Sequence, residues 1–593
     1  MPENQWPLFS VSNRLSSTLL LVTLLMLIMD PAWAQSSPVG SQSASQPVAQ
    51  VQSQETRQSV AVNPTPCEVT VSPAGATNTC AQLQQPAGKP PSDLPATPAK
   101  SPEPAPQNST PPTPSPSLQP SGSGTEVPGT GVAVQEQQPS SGQNQGTAQT
   151  EARITKAQAK ELFNSVDEIL GFASEDTGLP IKRKVKRKLI TRESMESYIN
   201  KRMRDDKDTQ RMEHEQLVLE KLGLIPPGYD LHREFLRLLG EQVAAYYEPK
   251  NRTVNLLDWV QPEIQKPVLA HELTHALQDQ TVNLRTWPND GNQGDKPLPD
   301  QQEQVVEEAQ AARECVTEGQ AMVVLFDYTL APLGKSVATD PDMVNAMRAG
   351  IGDSSDSPIF SAAPMFLKET LMMPYTFGTD FVRTVLINKG KVAAFSGVLH
   401  NPPVDTRQVM QPETYLLQQV VAPLTVPDLD KIVAPKYERY DFGEMGEFDV
   451  YLLAKQYGGN DAPKGIYPHW RGGYYLAAHD KGTPKDEVSL LYFSSWDSPD
   501  GAKAFAKLYG DYLPKRYKKA TLYPASCPVT TRDNYGCRAK SWDTDQGKVL
   551  IEIQGNDVLI TEDFDDLTAE RARAALLYHM TIPRTESQVA GKP

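Results

Sequence analysis

His271-Glu272-Leu273-Thr274-His275 is the stretch on which the reading of this chain turns. Residues four apart share one helix face, so both imidazoles can point at a single ion. Glu272, one residue round, can reach a water on that ion. With 8 His in 593 residues, a chance match to this pentapeptide is about one in a hundred or rarer. The flanks Val268, Leu269, Ala270, Ala276 and Leu277 are apolar, and an imidazole buried among them is costly unless liganded. A helix with two core or solvated histidines and an exposed acid is the weaker reading, and the pattern points to zinc.

Working downstream, a catalytic zinc normally takes three protein ligands and a water. Gln278-Asp279-Gln280 follows the motif and no His recurs until His400, so the third ligand is to be sought among carboxylates. Pro299-Asp300, with Glu303 three residues on, resembles a capping box and opens a long helix to about Tyr328. Glu314 and Glu318 share one face of it, so either can reach the ion with the other behind it. Gly319 costs about 1 kcal/mol in a helix interior relative to Ala, which implies close packing beside Glu318.

Upstream, Gln242 to Tyr247 and Thr253 to Leu257 are β-prone, and Glu248-Pro249-Lys250-Asn251 between them is turn chemistry. Pro267 suits the first turn of the helix that follows. An amphipathic helix is expected from Ile154 to about Phe172, another from a Thr191 cap to Met203, and further ones at Met212 to Leu222 and Leu231 to Glu241. The basic run Lys182 to Lys188 fits a guarded edge strand better than an anion-binding surface.

The HELTH motif followed by Glu318-Gly319-Gln320-Ala321 resembles the gluzincin metallopeptidases, in which thermolysin and the zinc aminopeptidases use a helical Glu as third ligand. By that match Glu318 is the ligand and Glu272 the catalytic base. The string from Val243-Ala244-Ala245-Tyr246-Tyr247-Glu248-Pro249 through HELTHALQDQ to Thr317-Glu318-Gly319-Gln320-Ala321 also resembles a little-characterised set of exported bacterial proteins predicted to be zinc peptidases. Pro374-Tyr375 to Gly390 and Pro402 to Tyr415 extend the likeness, which covers roughly Leu222 to Tyr415. The linker from His275 to Glu318 is longer than in thermolysin, and Gln411 stands where the bacterial set has His. The resemblance implies metal-assisted hydrolysis of a peptide or protein substrate, with the hairpin edge holding an extended peptide by strand addition. Tyr375, Tyr415 and His400 are the candidate donors to the transition state.

Composition sets the frame. The net charge is 57 − 72 = −15, which argues against nucleic acid as a partner. Arg14, the run Leu19 to Met29 and Ala32-Trp33-Ala34 have the three parts of a secretory signal, residues 1–34, so an exported protein, periplasmic or secreted, is expected. Residues 35–150 hold 20 of the 52 prolines and no Phe, Trp or Tyr, too little apolar surface for a core, and read as a disordered linker. Beyond the N-terminus no apolar run approaches the roughly 20 residues that span a bilayer. Cys67 with Cys80, and Cys527 with Cys537, could close small loops after export, whereas Cys315 reads as a buried apolar residue.

The expected fold is α+β. A mainly helical, zincin-like metallopeptidase domain with a small sheet spans 151–425, and a smaller α+β domain spans 430–585. In the latter Trp470 to His479, Val488 to Phe493 and Lys548 to Thr561 read as strands, with helices at Pro499 to Tyr512 and Thr568 to Tyr578. His469, His479 and His579 have no ligand spacing. The rival to a peptidase is a catalytically inactive envelope interaction protein that retains a structural zinc site; an intact Glu272 argues for the enzyme, because a structural ion needs no base beside it.

Overall fold

The computed structural model describes residues 153–205, 215–242, 245–287, 299–342, 344–346, 357–482, 487–523, 532–533, 536–537 and 539–579. The expected signal and linker, and Cys67, Cys80 and Cys527, lie outside them. The described residues are mixed α and β, a helical region and a separate sheet, within one compact unit. Among them no helix is long and apolar enough to cross a membrane.

Helix α1 (Lys156–Thr177) starts at a capping box, where Thr155 and Gln158 satisfy each other's backbone N–H. It buries Leu162, Val166, Ile169, Leu170 and Ala173, a stripe at helical period. Strand β1 (Lys186–Ile190) is the outer strand the basic run suggested, and it pairs parallel to β3. Thr191 Oγ1 accepts from Ser194 N, opening α2 (Arg192–Asp205). Helix α3 (Leu231–Gln242) leads to the expected hairpin, β2 (Ala245–Glu248) antiparallel to β3 (Thr253–Leu257). The small sheet has the order β1-β3-β2, which leaves β2 at an edge.

The motif helix α4 (Pro262–Val282) begins five residues earlier than Pro267 suggests. Pro262 takes the first helical position, where its missing N–H costs nothing, and Pro267 sits inside the helix. Gln265 fixes where α4 leaves the sheet, accepting from Leu257 N and donating to Leu257 O, at 3.0 and 2.8 Å. Every residue from Val268 to Gln280 is buried, because α1, α5 and β2 all pack on this helix.

Helix α5 (Asp300–Leu330) has no capping box: Pro299 is the N-cap and Asp300 is already helical. The Asp300 carboxylate instead accepts from Nη1 and Nη2 of Arg439, each at 2.8 Å. Helix α6 (Met365–Lys389) lies against α5. The two backbones touch at glycines: a Cβ on Gly319 would fall inside the Gly378 carbonyl, and one on Gly378 would overlap the Cys315 carbonyl. This is the close packing that a mid-helix glycine implies. A π-helical turn, Ala393–Gly397, follows.

The second half is built on a sheet whose first strand, β4 (Tyr437–Glu444), the sequence reading does not anticipate. Its pairing with β5 (Trp470–Asp480) shifts register between Arg439 and Asp441, which breaks the alternation that would reveal it. Helix α7 (Glu447–Gly458) intervenes, and β6 (Ser489–Trp496), α8 (Pro499–Arg516), β7 (Ala520–Leu522), β8 (Ala539–Thr544), β9 (Lys548–Gln554), β10 (Asp557–Glu562) and α9 (Asp566–Leu576) follow. The order β4-β5-β6-β10-β9-β8-β7 is antiparallel throughout. Alternate β5 residues serve two cores: Tyr475 and Ala477 face the main cluster, which runs back into the helical half, while Tyr474, Leu476 and Ala478 face Leu429, Ile432 and Leu576.

Candidate metal centre

Helices α4 and α5 bring three side chains to one point. His271 Nε2 lies 3.1 Å from Glu318 Oε2 and 3.1 Å from His275 Nε2, and His275 Nε2 lies 3.5 Å from the same carboxylate oxygen. Among the described residues this is the group of His, Cys, Asp and Glu that could hold a metal ion. All three residues are buried, with His275 the most exposed at 6%. Ligand atoms about 2.1 Å from a tetrahedral ion stand about 3.4 Å apart, so the observed separations fit an ion placed among them.

Burial and mutual charge set the protonation of the three groups. Burial pushes the His271 imidazole down to about 4, against the pull of Glu318. Burial also opposes a charge on His275, but the carboxylates of Glu318 and Glu272 outweigh it and carry the ring up to about 9. The histidines in turn hold Glu318 down at about 2 in spite of its burial. The group thus holds one proton, on His275, which a metal ion would have to displace.

Glu272, fully buried, accepts a hydrogen bond from Tyr247 N of β2 at 2.6 Å. The strand is tied to α4 a second time, since Tyr247 Oη donates to Asp279 Oδ2 at 3.0 Å and Leu284 N donates to Asp279 Oδ1. Glu314 is buried one turn before Glu318 and does not join the group. Of the three candidate donors the structure brings only Tyr375, buried on α6, beside the site, with ring centroids 6.2 Å apart against His271. Tyr415 donates to Asn401 O, and His400 is exposed with its Nδ1 2.7 Å from Ser396 O. Gln411, at the position of interest from the resemblance, donates to both oxygens of Glu447. Cys315 is a free, fully buried thiol whose pKa burial and nearby carboxylates push far up.

Two contacts were missed from sequence. Gln278, whose Oε1 lies 2.8 Å from His275 Nδ1, sits three residues after its histidine and was legible by helical spacing. The Tyr247 N–H carries no side-chain signature and was not. His469 pairs with Asp497, and His479 Nδ1 lies 2.8 Å from Glu487 O. No protein-family model, curated protein or solved structure matches this chain.

Proposed function

We propose that the chain is a zinc-dependent peptidase of gluzincin type, with His271, His275 and Glu318 as ligands and Glu272 as general base. The observation that carries this is the convergence of two imidazole nitrogens and one carboxylate oxygen at 3.1 to 3.5 Å, with a second carboxylate anchored on the same helix. Two imidazoles and a carboxylate suit zinc among the common ions. When bound, zinc polarises the scissile carbonyl and lowers the pKa of a water at the site towards about 7. Glu272 takes the proton of the attacking water and returns it to the leaving amine. The Tyr247 N–H holds Oε2 of that carboxylate and so fixes its angle to the ligands. Strand β2, at the sheet edge, receives an extended peptide by strand addition, and Tyr375, whose ring lies beside that of His271, is taken as the donor to the carbonyl oxygen. The exported destination expected from sequence belongs to the same proposal.

One observation favours the rival reading of a structural ion in an interaction protein: Glu272 and the ligands are between 0 and 6% exposed. Glu272→Gln separates the two. In the peptidase this variant keeps its zinc and its fold and loses about a hundredfold or more in hydrolysis of a peptide library. Cleavage that persists unchanged in the variant sinks the peptidase reading.

A further inference from the structure

Each site histidine offers one nitrogen to the metal position and turns the other away. For His275 the second nitrogen, Nδ1, meets Gln278 Oε1 at 2.8 Å. Gln278 Nε2 donates to Thr317 O at 2.9 Å and to Gln320 Oε1 at 3.0 Å. Gln320 Nε2 donates in turn to Ala394 O at 2.8 Å and Phe395 O at 3.0 Å, both in the π-helical turn. Both glutamines are fully buried.

The direction of this chain is fixed at its far end. Backbone carbonyls only accept, so the Gln320 amino group must face Ala394 and Phe395, and its oxygen must face Gln278. Thr317 O independently demands the Gln278 amino group, which leaves the Gln278 oxygen for His275. That oxygen requires a proton on Nδ1. Once a metal ion displaces the second proton the imidazole is neutral and has one N–H, so Nε2 keeps its lone pair for the position shared with His271 and Glu318.

We infer that Gln278 and Gln320 are positioning residues of the metal centre, which pass the acceptor direction of three backbone carbonyls to His275 as a fixed tautomer and ring angle. The inference rests on the metal reading proposed above. Outer partners of metal-bound histidines orient the ring and govern affinity. Here the partner is a neutral amide, so the orientation comes without added negative charge. His271 has no counterpart: its Nδ1 is buried and meets no hydrogen-bond partner among the described residues. The angular control of the site therefore falls on His275.

The test uses the full chain and reads metal binding rather than hydrolysis. Zinc affinity by chelator competition, and the visible spectrum of the cobalt-loaded protein, are compared for wild type, Gln278→Leu and Gln320→Leu. Gln278→Leu is expected to weaken zinc about 10- to 100-fold and to alter the cobalt bands. Gln320→Leu is expected to do the same to a smaller extent, because Thr317 O still orients Gln278. Imidazole ¹⁵N spectra of the zinc-loaded wild type should show His275 protonated at Nδ1 and metal-bound at Nε2, and they decide the matter if either variant fails to fold. Wild-type zinc affinity and an unchanged cobalt spectrum in folded Gln278→Leu, or the opposite tautomer in the wild type, overturn the inference. A wild type that binds no zinc overturns the metal reading with it, whereas tight zinc without hydrolysis leaves this inference standing and removes only the peptidase.

Discussion

At the scale of single residues, the choice between two glutamates one helical turn apart is the sharpest question. Spacing left Glu314 and Glu318 equivalent, and the folded chain separates them: Glu318 Oε2 lies within 3.5 Å of both imidazoles, while Glu314 stays outside the group. Glu318→Ala should therefore weaken zinc by more than about a hundredfold, since even an outer partner is worth about 10- to 100-fold. Glu314→Ala should keep zinc within a few-fold. Metal analysis after dialysis against a weak chelator reads both, and the reverse pattern would mean that the wrong carboxylate was assigned. The imidazole spacing was legible because four residues on a helix is a geometric statement. Tyr247 was not, because its contribution is a backbone N–H delivered by a strand 25 residues away.

At the scale of elements, the site depends on how closely α5 and α6 approach, and glycine sets that distance. Gly319→Ala gains up to about 1 kcal/mol of helix propensity, but the added methyl must push the α6 backbone away at a cost of about 1–3 kcal/mol. Since the ligand Glu318 adjoins Gly319 and Tyr375 rides on α6, the variant should lose both a few degrees of melting temperature and several-fold in zinc affinity. A variant that melts and titrates like wild type would show that the helices have slack. Helices with strong local signals, such as α1 with its apolar stripe and α4 with its motif, were legible in sequence. The cap of α5 and strand β4 were not, and one long-range pair joins them. Asp300 looked like a cap and belongs to Arg439, 139 residues on. Strand β4 carries that arginine beside a register shift, so its apolar alternation is lost locally.

At the scale of the whole molecule, the helical half and the large sheet meet over buried carboxylates. Glu307 Oε2 accepts from Glu444 N, and Glu308 Oε2 accepts from Thr406 N and Oγ1. Burial, with Asp405 and Asp449 nearby and the Thr406 donors opposing, pushes Glu308 up to about 8. Burial and the neighbouring acids hold Glu444 well above the usual carboxylate range, and burial does the same for Glu447 against the pull of Gln411 and Arg407. An acid raised in this way keeps its proton longer folded than unfolded. Its advantage is complete below the ordinary value near 4.5 and is lost as pH rises through about 8. At saturating zinc the melting temperature should therefore fall by several degrees between about pH 5 and pH 8.5. Glu308→Gln, which cannot ionise, should make that slope shallower without abolishing it, because Asp327 and Asp176 are raised by burial to about 7 and about 6. An equal or steeper slope in the variant would place the titration elsewhere. The pairing of Gly319 with Gly378 also bears on the history such a chain can record. Any replacement at either position adds atoms, and the opposite position already holds the smallest residue there is, so no second change can restore the fit. Two sites that cannot compensate for one another leave no correlated substitutions, and the contact that seats Glu318 would be silent to any reading of lineages that infers proximity from shared change.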